Sequence, residues 1–135
     1  MKLIIYTDGA SRGNPGPSSY GFIISDGKGK LLYSEGKYIG KTTNNVAEYT
    51  GVLQALRFVK EKFHQVGQIE LFADSRLVAQ QLSGNFKIKA PHLKPIIEQI
   101  KILSLELGGI VFSHVPRIQN TRADKLANEA LDRIY

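Results

Sequence analysis

Four carboxylates stand at positions where an acid is unusual, and together they indicate divalent-metal chemistry. Asp8 and Asp74 each end an apolar run, and Glu48 and Asp124 lie in the first turns of two predicted helices. Singly, each has a structural explanation: Asp74 as an N-cap, Glu48 and Asp124 as partners of helix dipoles, Asp8 as the start of an Asx turn. Converging carboxylates, however, repel one another and raise one another's pKa values unless cations neutralise them.

A group of carboxylate oxygens is suited to bind hard divalent cations. Mg²⁺ prefers carboxylates, waters and substrate phosphates, and two such ions can support phosphodiester cleavage. The sequence has no cysteine and no paired histidines, so a typical zinc site is not expected. We therefore predict that a metal ion explains the acid at the end of the first strand.

The elements that must position these acids follow from the spacing of apolar residues. The pattern predicts the order βββ-α-β-α-α-β-α, with the first strand buried on both faces. This order is typical of an α/β fold with a five-stranded mixed sheet, in which an antiparallel meander of three strands is extended by parallel strands and flanked by helices. Parallel first and fourth strands would bring Asp8 and Asp74 to one sheet edge, where sites form. The predicted strands are 2–8, 19–25, 31–39, 69–73 and 110–115, and the predicted helices are 44–63, 75–82, 92–107 and 122–134.

Composition sets broad limits on the function. The 135 residues are 42% hydrophobic, which fits one domain with a real core. The net charge of +6 is compatible with a polyanionic partner, and ordinary solubility charge is the alternative. The sequence shows no membrane-spanning run and no signal-peptide pattern, so we expect a cytoplasmic protein without a membrane partner.

Four motifs in order give the chain a family resemblance. The segments TDGASRGNPGP, TNNVAEY, ADS and NTRADKLANEA resemble type 1 ribonuclease H over nearly the whole chain. The resemblance implies one ribonuclease H catalytic domain over residues 1–135, acting as a monomeric endoribonuclease. It implies hydrolysis of the RNA strand of RNA–DNA hybrids by a two-metal-ion mechanism, with Mg²⁺ or Mn²⁺ as cofactor. The expected products carry 5′-phosphate and 3′-hydroxyl ends.

The resemblance also implies residue roles. The family's catalytic, metal-binding carboxylates fall on Asp8, Glu48, Asp74 and Asp124. Positions that touch the hybrid backbone and minor groove fall on Asn14, Asn44 and Asn45, and Thr43 matches a position near a DNA-strand phosphate. Helix capping is the alternative explanation for Asn44 and Asn45.

The chain departs from the family pattern at three places. The loop before the last helix has no histidine, and we take Arg117 there as a candidate phosphate contact, with Asn120 at the end of the loop as a further nucleic-acid contact. The basic protrusion of many members is short, so Lys87 and Lys89 are either phosphate contacts or part of a solvated loop. Arg76 replaces a frequent glutamine and favours phosphate contact.

These departures leave two other functions open. One is a related nuclease that also cuts double-stranded RNA or RNA–DNA junctions. The other is a non-catalytic nucleic-acid-binding module, against which the presence of all four acids argues.

Overall fold

The computed structural model describes residues 1–84 and 90–134 and contains a five-stranded sheet in the order β3-β2-β1-β4-β5. The predicted α/β class and mixed sheet are confirmed. The predicted contacts Lys87 and Lys89 lie outside the described residues. The strands are β1 (Lys2–Ser11), β2 (Gly16–Asp26), β3 (Leu31–Thr42), β4 (Gln68–Ala73) and β5 (Val111–His114), and the α-helices are α1 (Asn44–Lys62), α2 (Arg76–Leu82), α3 (Lys94–Glu106) and α4 (Thr121–Asp132).

The first strand differs from its prediction in length and in burial. It runs on to Ser11, because residues beyond Asp8 keep pairing with β2 as far as the pair of Ser11 with Ser18. Its Leu3 and Ile5 face is fully buried, while Ile4 on the other face is only half-buried. The strand is therefore not covered equally on both faces.

The main core lies between the sheet and the helices α1, α2 and α3. Large side chains of β1, β2 and β4 pack there against α1 and α3, and burying each contributes roughly 1.5–3 kcal/mol. These side chains are fully or almost fully buried: Leu3, Ile5, Phe22, Ile24, Val52, Leu56, Leu71, Ile97 and Ile100.

The last helix packs on the opposite face of the sheet at backbone distance. A Cβ atom on Gly21 of β2 would lie 2.4 Å from the Ala123 carbonyl oxygen, so only glycine admits the helix there. The Ser19 hydroxyl donates a hydrogen bond to the Ala127 carbonyl, which fixes the helix further along. These contacts set where the first turn of α4, and with it Asp124, lies over the sheet.

In the part of the chain that the structure describes, none of the helices has the length and apolar character needed to span a bilayer.

Substituting Gly21 by alanine tests the close packing of α4. We expect Gly21→Ala to lower the free energy of unfolding by about 2 kcal/mol or more, since overpacking costs roughly 1–3 kcal/mol and here the obstacle is backbone. Urea denaturation measures this. Gly67→Ala is the matched control, because its Cβ would lie 3.6 Å from the nearest heavy atom, the Met1 carbonyl oxygen. Equal stabilities for the two variants would contradict the packing argument.

Candidate active site

The four predicted acids line one cavity of about 540 Å³ at the edge of the sheet. Carboxylate oxygens of Asp8, Glu48 and Asp74 all lie within 4.8 Å of one another. Asp124 reaches the same cavity from α4. The structure thus brings together acids that are far apart in the sequence.

The crevice arises because β1 is longer than its parallel neighbour. Pairing of β1 with β4 ends at Thr7 and Ala73, whereas β1 continues alongside β2. Asp8 and Asp74 are each the next residue after the last parallel pair. Both carboxylates therefore emerge side by side at the position where the sheet opens.

Close contact between β1 and α1 brings the third acid to the crevice. A Cβ on Gly9 would lie 2.4 Å from the Glu48 backbone nitrogen, so the strand and the helix touch through their main chains. The Gly9 N–H also donates a hydrogen bond of 2.9 Å to Asp8 Oδ1. Glycine at this position allows Glu48 to lie beside Asp8.

The N-caps of α1 and α2 are hydroxyl residues and not the acids or asparagines considered above. The Thr43 hydroxyl accepts a hydrogen bond from the Val46 N–H at the start of α1, and the Ser75 hydroxyl accepts one from the Val78 N–H at the start of α2. Neither Asp74 nor the side chains of Asn44 and Asn45 cap a helix. The capping explanation for these residues is therefore wrong.

The charges in the cavity are poorly compensated by the protein. Asp8 is 4% exposed, and burial, followed by the charge of Asp74 and contact with Asp124, raises its pKa to about 7, although a hydrogen bond with Glu48 opposes the shift. Burial and the charges of Asp8 and Asp74 also raise the pKa of Glu48. The Glu48 Oε2 atom is buried and has no hydrogen-bond partner among the residues that the structure describes. Such an orphaned oxygen among clustered acids fits a hard divalent cation.

Asn120 lies behind the acids rather than on the binding surface. Its side chain is 2% exposed, and Nδ2 donates hydrogen bonds to the Thr7 carbonyl at 2.8 Å and to Asp74 Oδ2 at 3.0 Å. Its own carbonyl accepts a hydrogen bond from the Asp124 N–H at 3.1 Å. The prediction that Asn120 contacts nucleic acid directly is therefore wrong. The residue instead connects β1, Asp74 and the start of α4 through hydrogen bonds.

The other predicted nucleic-acid contacts surround the cavity or lie near it. Exposed Asn44 and Asn45 line it, and Asn14 accepts a hydrogen bond of 3.1 Å from the Asn44 N–H through Oδ1. Arg117 also lines it, with Nη2 3.8 Å from Asp124 Oδ1 and a side chain that is 83% exposed. Arg76 is exposed at the first residue of α2.

Sequence reasoning did not single out Ser11, Ser75 and Asn128, three polar residues of the cavity wall. Asn128 lines the cavity and donates to Asp124 Oδ1. Its position four residues after Asp124 on a helix is the signal that could have indicated it, because such residues share a face.

Comparison with known proteins places this geometry in a family. Residues 6–130 match the family model described as reverse transcriptase-like. The chain is 42% identical over 127 residues to ribonuclease HI of Halobacterium salinarum, covering 94% of this chain and 63% of that protein. Among solved structures, LC11-RNase H1 in complex with an RNA/DNA hybrid superimposes with a TM-score of 0.93 at 42% identity, with 98% of both chains covered. The chain belongs to the type 1 ribonuclease H family.

Some relatives of this ribonuclease H family member are much longer. The bifunctional protein Rv2228c of Mycobacterium tuberculosis is 41% identical over 135 residues, which cover 98% of this chain. The chain spans only about a third of the length of that relative, 36%. The family assignment therefore concerns the ribonuclease H unit that the two proteins share.

The raised pKa of Asp8 predicts that the stability of the metal-free protein depends on pH. A group that binds its proton more tightly when folded stabilises the fold at low pH, and this contribution is lost as pH rises from about 4 to about 7. The measured quantity is the free energy of unfolding of Asp8→Asn minus that of the unsubstituted protein, both in EDTA. We expect this difference to rise by up to about 4 kcal/mol between pH 4 and pH 8. Urea denaturation at both pH values measures this, and a difference independent of pH would contradict it.

Isosteric replacement of Asn120 tests its tie to Asp74. Asn120→Asp puts a carboxylate in place of the amide that donates to Asp74 Oδ2, whereas Asn120→Ala only removes the donor. In EDTA at pH 8 we expect Asn120→Ala to lose about 1–3 kcal/mol of stability and Asn120→Asp to lose more through repulsion. Gln119→Ala is the exposed control. Equal stability of the Asp and Ala variants would show that Asn120 and Asp74 do not interact significantly.

Proposed function

We propose that residues 1–135 form a catalytic domain that hydrolyses the RNA strand of RNA–DNA hybrids internally. The reaction leaves 5′-phosphate and 3′-hydroxyl ends and uses two Mg²⁺ or Mn²⁺ ions. The observation that carries the proposal is the group of three carboxylates within 4.8 Å, with a fourth in the same cavity and a buried Glu48 oxygen that has no partner.

The four acids divide the binding of the ions among them. Asp8 and Glu48 would help to hold both ions, Asp74 would hold the ion on the side of the attacking water, and Asp124 would hold the other. Bound cations supply the positive charge that activates water and stabilises the leaving oxygen. The protein contributes a fixed spacing, because each acid comes from a different element of the fold.

The surroundings of the cavity supply the contacts with the duplex. Asn44 lies one helical turn before Glu48, and its amide can hydrogen-bond a 2′-hydroxyl or a base edge in the minor groove. Asn14, Asn45 and Thr43 stand at the same end of α1. The positively charged guanidinium group of Arg117 lies at the rim of the cavity, where it can bind a phosphate. The net charge of +6 favours a polyanionic substrate.

Relatives support this substrate over other duplexes. LC11-RNase H1, at 42% identity, was solved with an RNA/DNA hybrid. The loop with Arg117 nevertheless differs from the histidine loop of many members, so duplex selectivity needs a direct comparison.

A cleavage assay with matched duplexes tests the proposal. End-labelled RNA–DNA hybrid, double-stranded RNA and double-stranded DNA are incubated with Mg²⁺, Mn²⁺ or EDTA. We expect a ladder of RNA fragments from the hybrid alone, with metal only. Cutting of double-stranded RNA as well would define a broader ribonuclease, and hybrid binding without cutting under any condition would point to a binding module.

Single-turnover kinetics of Glu48→Gln test the assignment of the acids. Removing one charge from the group while keeping the shape should lower the cleavage rate by orders of magnitude, because the cation sites lose a ligand that both share. Glu61→Gln, exposed near the end of the same helix, is the matched control. Near-normal cleavage by Glu48→Gln would refute the assignment.

A further inference from the structure

Asp124 is held differently from the other three acids. The ligand oxygens of Asp8, Glu48 and Asp74 form one tight group, and Asp124 is not a member of it, although it lines the same cavity. Its side chain is 30% exposed. An acid at the edge of the group needs a separate constraint on its orientation, since aspartate carboxylates rotate broadly about their last torsion.

The amide of Asn128 provides that constraint. Its Nδ2 donates to the main-chain oxygen of Asp124 at 2.9 Å and to Asp124 Oδ1 at 3.2 Å. The first hydrogen bond anchors the amide to the helix backbone. The second therefore holds Oδ1 in a fixed direction relative to α4.

Both donors near Asp124 approach the same oxygen. Arg117 Nη2 lies 3.8 Å from Oδ1, the atom that also accepts from Asn128. The Asp124 carboxylate also contacts Asp8, so it faces the other acids of the cavity. Asn128 orients the carboxylate without adding a positive charge, which would compete with a cation for Asp124.

Asn128 is not a residue that stabilises α4 through its helix propensity. Asparagine is a poorer helix former than alanine in a helix interior, and Asn128 is an interior residue of α4. Asn128 is half-buried and lines the cavity, so its amide is placed where it acts on the site.

We propose that Asn128 is a positioning residue that orients Asp124 and thereby sets the affinity of the cavity for its second divalent cation. This inference rests on the proposed function for its consequence in catalysis, but the cation affinity can be measured without any substrate. Loss of a group that orients a metal ligand typically weakens metal binding about tenfold or more.

Mn²⁺ titration of the substrate-free protein, read by electron paramagnetic resonance of unbound Mn²⁺, tests the inference. The measured quantity is the free Mn²⁺ concentration that raises occupancy from one to two ions per chain. We expect Asn128→Ala to require about tenfold more, with a melting temperature in EDTA equal to or above that of the unsubstituted protein. In cleavage assays the same variant should need about tenfold more Mg²⁺ and recover near-normal kcat when Mg²⁺ saturates.

Two further variants make the test specific. Asn128→Gln keeps an amide that can reach a carboxylate one turn earlier and should restore most of the Mn²⁺ affinity. Glu129→Ala, next to it on α4 and paired only with Lys125 among the described residues, should bind Mn²⁺ normally.

Each outcome decides for or against Asn128. Unchanged Mn²⁺ binding by Asn128→Ala would overturn the inference, and so would an equal loss in Glu129→Ala or a loss of kcat that saturating Mg²⁺ does not restore. If the unsubstituted protein cleaves no duplex, the proposed function fails, while the Mn²⁺ titration still tests the role of Asn128.

Discussion

Repulsion among buried carboxylates is the constraint on which the rest of this structure depends. Asp8 is almost completely buried next to Glu48 and Asp74, and its pKa rises to about 7 because the protein offers burial and like charges rather than cations. Such an arrangement is unfavourable by itself and becomes favourable when divalent cations bind. The fold therefore has to hold these acids in place by packing elsewhere.

Glu35, a half-buried acid of the sheet, shows how the protein can satisfy a carboxylate with its own hydrogen-bond donors. Glu35 of β3 accepts hydrogen bonds from the hydroxyls of Tyr20 and Tyr33 through its two oxygens. Glu48, in contrast, leaves Oε2 buried without a donor. The difference between the two glutamates is the difference between an acid that stabilises the fold and an acid kept available for a ligand.

Neutral and backbone groups support the acids. Hydroxyl groups of Thr43 and Ser75 cap α1 and α2, so Asp74 is not needed as a cap. The amide of Asn120 holds Asp74 from behind, and the Gly9 N–H holds Asp8. Hydrogen-bond donors of this kind orient carboxylates without the full charge that would displace a cation, a pattern typical of metal sites with a supporting outer shell.

The sequence by itself determined the elements, the α/β class and the four acids, because apolar spacing and motif order are local properties of the chain. It led to errors where side-chain direction mattered, since Asn120 was predicted to be a surface contact and Asn128 was missed. It also placed the end of the first strand at Asp8, although backbone pairing with β2 continues to Ser11. The tertiary structure decided these points, since only the register of β1 against β2 and β4 shows where the sheet opens. Only the packing of α4 on Gly21 shows which way Asn120, Asp124 and Asn128 face. Burial and distance between residues that are remote in sequence arise from long-range packing, which no local pattern encodes.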